Sequence, residues 1–155
     1  MLQYIFTENR IVFETPAADK ETLFGRLVSL LEEPGQLSRT EILAALLNRE
    51  RQFSTAVGNG IAIPHAKLDG LREALGVIAI VKPAMEYDSE ALSEVSLVFM
   101  LLSPTQNPAA HLQTLKLLAS VLEAGSLKQD LMSATDSAGA WHALRLAVAA
   151  VKKTI

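Results

Sequence analysis

The chain reads as an α/β protein whose central sheet is covered by helices on both sides, and three observations predict this. Residues 74–81 and 95–102 are nearly continuous apolar runs, the pattern of strands buried on both faces. Several segments around them repeat leucines at helical spacing with polar residues between, so each has one face to bury. Half of the 155 residues are hydrophobic and a fifth are charged, a globular composition. A chain of this length buries on the order of 70% of the surface it exposes when unfolded.

The elements follow in order. Ile11-Val12-Phe13 reads as a short strand. Residues 19–33 predict an amphipathic helix with Leu23, Leu27, Leu30 and Leu31 inward, stopped by Pro34-Gly35. Ser38-Arg39-Thr40-Glu41 has capping-box spacing and opens a second helix. Its inner face is Ile42, Leu43, Leu46 and Leu47, and Arg49 and Arg51 lie near its C-terminal end. Gly58-Asn59-Gly60 is a turn, because these residues accept positive φ, so the chain reverses before Ile61. Ile61-Ala62-Ile63 is then a short buried strand, and Pro64 holds Ile63 extended. After the two apolar strands, Asn107-Pro108 combines an N-cap with a first-turn proline and opens a helix carrying Leu112, Leu115, Leu118, Ala119 and Leu122. Gly125 breaks it, a short helix spans 127–132, and Asp136 opens the last helix, with Trp141, Leu144, Val148 and Val151 along one stripe. No repeat, low-complexity stretch or linker divides the chain, so residues 1–155 are expected to form a single domain.

Composition excludes several functions. A net charge of −3 without a Lys/Arg cluster argues against nucleic acid as partner. Without cysteine there is neither a disulfide framework nor a thiolate metal site. Glu-x-x-His and His-x-His spacings are absent, as are a nucleotide-phosphate loop and a Gly-x-Ser-x-Gly elbow, so neither metal nor dissociable cofactor is expected. The longest apolar run is far short of the roughly 20 residues that span a membrane. The opening Met1-Leu2-Gln3-Tyr4-Ile5-Phe6 lacks the basic start of a secretory signal, so the expected setting is cytoplasmic, with no membrane insertion.

The chemistry that survives is histidine with anion-binding neighbours. His65 follows a turn, a short strand and a proline, and is left at a strand end with little backbone freedom. A ring held this way can be nucleophile, base, ligand or plain core residue. His111 lies on the buried stripe of its helix and in its first turn, where partial positive charge disfavours imidazolium and favours a bound anion. It is either a neutral donor to phosphoryl oxygen or a core-edge histidine bonded to a carbonyl. Arg49 is either a helix-end cation or a planar donor matched to phosphate. Lys67 can aid anion capture or simply be exposed, and what Thr55 adds is open. Arg51 is expected in solvent, and His142 falls off the last helix's apolar stripe onto its solvated side.

Arg49, Gly58-Asn59-Gly60-Ile61-Ala62-Ile63-Pro64-His65 and His111-Leu112 together resemble the enzyme IIA domain of the fructose/mannitol type in the bacterial phosphoenolpyruvate-dependent phosphotransferase system. The likeness runs from the first strand to the last helix, and the Gly-Asn-Gly-Ile-Ala-Ile-Pro-His run looks most like the free-standing nitrogen-regulatory branch. The resemblance implies a three-layer α/β/α sandwich with a mixed sheet. It implies a phosphocarrier in which His65 accepts a phosphoryl group from a phosphohistidine carrier of the HPr type, with His111 and Arg49 stabilising it. The group then passes to a IIB component or serves as a regulatory signal to a target protein. Alternatives are a sugar-specific fructose-type component, and a regulatory binding module whose partner choice is switched by His65 phosphorylation. One departure falls between Pro83 and Ser93, where Ala84-Met85-Glu86-Tyr87-Asp88-Ser89-Glu90-Ala91-Leu92 keeps only loosely the family's proline-hydrophobic-aromatic-Asp pattern.

Overall fold

The computed structural model describes residues 1–32, 37–88 and 93–153. In chain order it contains α1 (Leu2–Ile5), a 3-10 turn at Glu8–Arg10, β1 (Ile11–Glu14), α2 (Lys20–Ser29), α3 (Arg39–Gln52) and β2 (Ala56–Gly58). There follow β3 (Ile61–Ala62), β4 (His65–Leu68), β5 (Leu75–Asp88), β6 (Ser93–Pro104), α4 (Pro108–Glu123), α5 (Leu127–Ser133) and α6 (Ser137–Lys153). The sheet runs β1-β5-β6-β3-β2, with β4 also on β6. It is mixed: β1 is parallel to β5, β3 and β4 are parallel to β6, and β5 and β6 form a long antiparallel pair.

Alternation along β5 and β6 makes two cores, as the period of two requires. Val77, Ala79, Val81, Val98, Met100 and Leu102 face α2 and α3, with Phe24, Leu27, Ile42 and Leu46 packed on them. Ile78, Ile80, Leu97, Phe99 and Leu101 face α1, α4, α5 and α6, with Phe6, Leu118, Leu131 and Leu144 against them. The molecule is therefore the three-layer sandwich expected.

Capping side chains open the helices where the sequence puts them. Asp19 accepts from Thr22 N at 2.7 Å, Ser38 from Glu41 N at 3.2 Å, Asn107 from Ala110 N at 3.1 Å and Asp136 from Gly139 N at 2.8 Å. Three expectations need correction. Helix α2 ends at Ser29, which leaves Leu30 exposed; the predicted stop at Pro34-Gly35 lies outside the described residues. On α4 the buried positions are His111, Thr114, Leu118 and Val121, so Leu112 and Ala119 turn to solvent; Thr114, whose hydroxyl bonds Ala110 O, and Val121 take inward places that had not been expected of them. Strand β5 continues into the loosely matching segment as far as Asp88, with Met85 and Tyr87 buried; residues 89–92 of that segment lie outside the described residues.

The Gly58-Asn59-Gly60 turn behaves as read: all three residues have positive φ, and β2 and β3 are antiparallel around it. Beyond it the chain departs from expectation in a way that places the site. Ile63 lies outside the strand, and His65 begins a new strand rather than ending one. Even so, Ile61↔Leu97 and His65↔Leu101 keep the same register along β6, so residues 61–68 form one line interrupted at Ile63-Pro64.

Candidate functional site

Parity along this line decides which way each side chain points. Ala66 and Leu68 join the α2/α3 core, so His65 and Lys67 point to the opposite face, the one that carries α4. Ser103, two residues beyond Leu101 on β6, shares that face. His111, in the first turn of α4, reaches down to it with Nδ1 2.7 Å from Ser103 Oγ. The rings of His65 and His111 stand 5.4 Å apart between centroids, tilted by 45°.

The local backbone fixes the protonation of His65. Ile63 N donates to Thr55 O at 3.0 Å, outside the main ladder, and Pro64 has no N–H. The Ile63 carbonyl is thereby available to His65 Nδ1, at 2.8 Å. A carbonyl can only accept, so Nδ1 carries the hydrogen and Nε2 keeps its lone pair. Burial lowers the pKa of this half-buried ring, and the Arg49 and Lys67 charges push the same way, against the Ile63 carbonyl and Glu50. His111, 8% exposed, is pushed down to about 4, first by burial and then by His65, Lys67 and Arg49. Neutrality of His111 was expected from the helix terminus; in the structure burial is the larger cause.

Arg49 sits in the last turn of α3, with Nη1 donating to Phe53 O at 3.0 Å. Its charge reaches both imidazoles. The two ion pairs among the described residues, Lys20–Glu50 and Lys20–Asp88, leave Arg49 and Lys67 out. The structure thus brings together His65, His111, Arg49 and the exposed Lys67. Arg51 is exposed and bonds Asn48 Oδ1, and His142 is exposed on α6. Thr55 is not at the imidazole pair: it is buried behind it, bonded to Glu50 and Tyr87. His142 and Asp130 line a cleft of about 800 Å³ between α4, α5 and α6 that includes no residue of the His65 cluster.

Sequence reasoning missed three supports. Ser103 orients His111. Lys128 on α5 bonds the carbonyl of Asn59 and its side-chain oxygen, which staples the turn before β3. The buried Glu50 interrupts an apolar helix face at i+4 from Leu46, the signal that could have drawn attention to it. Among the described residues no cluster of histidine and carboxylate ligands suited to a metal ion occurs, and no helix is long and apolar enough to cross a membrane.

Two neutral imidazoles, one with a spare nitrogen, beside a guanidinium and an ammonium free of carboxylates, suit a nucleophile that receives an anionic group. A three-layer α/β protein with this arrangement has the groups a domain needs to receive and hold an anion. Residues 4–146 match the family model for the phosphoenolpyruvate-dependent sugar phosphotransferase system, EIIA 2, and the chain belongs to that family. It is 33% identical to a nitrogen regulatory protein of Bradyrhizobium diazoefficiens over 82% of each chain. It is 34% identical to a PTS system fructose-specific EIIA component of Haloferax volcanii over 80% of this chain and 81% of that one. The crystal structure of nitrogen regulatory protein IIA-Ntr from Neisseria meningitidis superposes with a TM-score of 0.84 at 29% identity, over 92% of this chain and 98% of that one. The protein is accordingly a phosphocarrier of the phosphotransferase system.

Proposed function

We propose that His65 is the phosphoryl acceptor, which makes the protein a protein-histidine phosphotransferase acting as one unit in the cytoplasm. The observation that carries this is the bond from His65 Nδ1–H to the Ile63 carbonyl, which leaves Nε2 as the nucleophile. Nε2 attacks the phosphorus of a phosphohistidine on an HPr-type donor. The new P–N bond forms as the donor's P–N bond breaks, and the donor imidazole leaves with the electron pair. Arg49 and, with the Ser103 hydroxyl donating to Nδ1, His111 through Nε2–H stabilise the phosphoryl oxygens, and the Ile63 carbonyl stabilises the charge that the phosphorylated ring acquires. Transfer between two nitrogens needs mainly alignment and charge neutralisation, which a rigid site supplies. Phe53, whose carbonyl Arg49 bonds, and Leu112, next to His111 in the chain, are exposed apolar side chains that a docking donor can cover.

Onward transfer goes to a IIB component or, in the nitrogen-type reading, phosphorylation changes the binding of a regulatory protein. The similarity to the nitrogen regulatory proteins favours the second output, and that to the fructose-specific component favours the first. Incubation with phosphoenolpyruvate, enzyme I and HPr labels wild type and leaves His65→Ala unlabelled. Phosphorus-31 NMR of the labelled protein then reports a phosphoramidate at Nε2. Equal labelling of the two proteins ends the proposal. A pull-down with wild type, His65→Ala and His65→Glu separates the outputs, because a regulatory partner distinguishes the variants and a pure relay does not.

A further inference from the structure

We propose that Glu50, which touches neither imidazole, is a positioning residue: through Thr55 and Ile63 its buried carboxylate decides which ring nitrogen of His65 is left free. This rests on the reading of His65 as the acceptor. Glu50 is 5% exposed on the sheet-facing side of α3, where a carboxylate is tolerated only when its lone pairs are filled. They are filled here. Oε1 accepts from Thr55 N at 2.9 Å and from Lys20 Nζ at 3.2 Å, and Oε2 accepts from Thr55 Oγ1 at 2.6 Å.

Because the Thr55 hydroxyl hydrogen goes to the carboxylate, the Tyr87 hydroxyl at 2.8 Å must donate to Thr55 Oγ1. Thr55 is therefore tied by both main chain and side chain. Its carbonyl holds Ile63 N at 3.0 Å, and the Ile63 carbonyl holds His65 Nδ1 at 2.8 Å. A line of hydrogen bonds thus runs from a carboxylate on one side of the sheet to the imidazole on the other. Arg49 from α3, Lys67 from β4 and His111 from α4 face His65, and none of them is an anion. The Glu50 carboxylate opposes the two cations and raises the ring's proton affinity. Around Glu50 itself stand Lys20 from α2 and Tyr87 and Asp88 from β5.

Glu50→Gln keeps the volume, but its amide NH₂ cannot accept from the Thr55 hydroxyl. Thr55→Val removes that hydroxyl and keeps the backbone bonds. Nitrogen-15 NMR of the ring nitrogens in the full chain decides the matter, with Leu46→Ala, a buried apolar truncation one turn earlier on α3, as the control for general loosening. Wild type shows Nδ1 protonated and Nε2 bare. In Glu50→Gln and Thr55→Val the tautomer ratio moves about tenfold toward Nε2–H, and phosphoryl transfer from phosphorylated HPr slows by about the same factor, the scale of one lost hydrogen bond. The His65 pKa also falls in Glu50→Gln, and Leu46→Ala lowers Tm without moving the ratio. A wild-type ratio in Glu50→Gln, or an equal displacement by Leu46→Ala, overturns the proposal. Should wild type take no phosphoryl group, the reading of His65 as acceptor fails, whereas the tautomer comparison still decides the role of Glu50.

Discussion

Two polar clusters lie back to back across the β4 edge of the sheet, and they are built on opposite rules. On the α2/α3 side, Lys20, Glu50, Thr55 and Tyr87 fill each other's hydrogen-bonding capacity, and charge meets countercharge. On the α4 side, the rings of His65 and His111 are held neutral, each is fixed through Nδ1, and Arg49 and Lys67 stand near without a carboxylate. The first cluster is closed, and it reaches the site through the line from Thr55 to the Ile63 carbonyl. The second keeps capacity in reserve, which is what a site needs to receive an anion.

Substitutions sharpen this contrast, and the largest effect belongs to the open cluster. Arg49→Ala should slow phosphoryl transfer by roughly 10²–10³-fold, the range for losing one preorganised charge-stabilising donor, while urea unfolding changes little. An unchanged rate would erase the distinction between the clusters. Next, Glu50→Ala should destabilise the fold by about 3 kcal/mol in urea titrations, because the buried Thr55 N–H and hydroxyl both lose their acceptor.

The third test is acid. His111 has a folded pKa of about 4 and ordinarily titrates near 6.5, so the unfolded chain binds the proton first as pH falls. Its contribution is intact above about pH 6.5 and is lost on the way down to about 4, on the order of 3 kcal/mol. His111→Gln should flatten that part of the stability curve, and a slope equal to wild type would place the acid sensitivity elsewhere. Tyr87→Phe, which removes one donor from the closed cluster, should cost about 1 kcal/mol and leave the labelling rate alone. Smallest is Lys67→Ala: the side chain is exposed, so transfer should slow only a few-fold, and the His65 and His111 pKa values should both rise.

What the sequence disclosed divides along the same line. Ser38, Asn107 and Asp136 announce their helices because a cap is satisfied within three residues. The apolar runs of β5 and β6 announce a sheet covered on both faces, since nothing but burial explains them. His65 and His111 stood out as single residues, and the resemblance joined them to Arg49. Strand β4 was missed although His65-Ala66-Lys67-Leu68 alternates with period two, because Pro64 reads as a terminator. On α4 the inward places of His111 and Leu118 were read correctly, but Leu112 and Ala119 were set inward and Thr114 overlooked, because apolar residues were weighted above a threonine whose hydroxyl bonds its own helix. Glu50, Thr55 and Tyr87 were illegible together: their bonds reach up to 32 residues along the chain, and nothing local in Tyr87 points to Thr55.

The steady register of residues 61–68 on β6 has one more consequence. A strand zipped to the most protected part of a protein opens only when the whole molecule does, so its amides should exchange with solvent near the global limit. The His65 imidazole is mounted on bedrock rather than on a swinging arm, so any partner that uses it has to come to that fixed address.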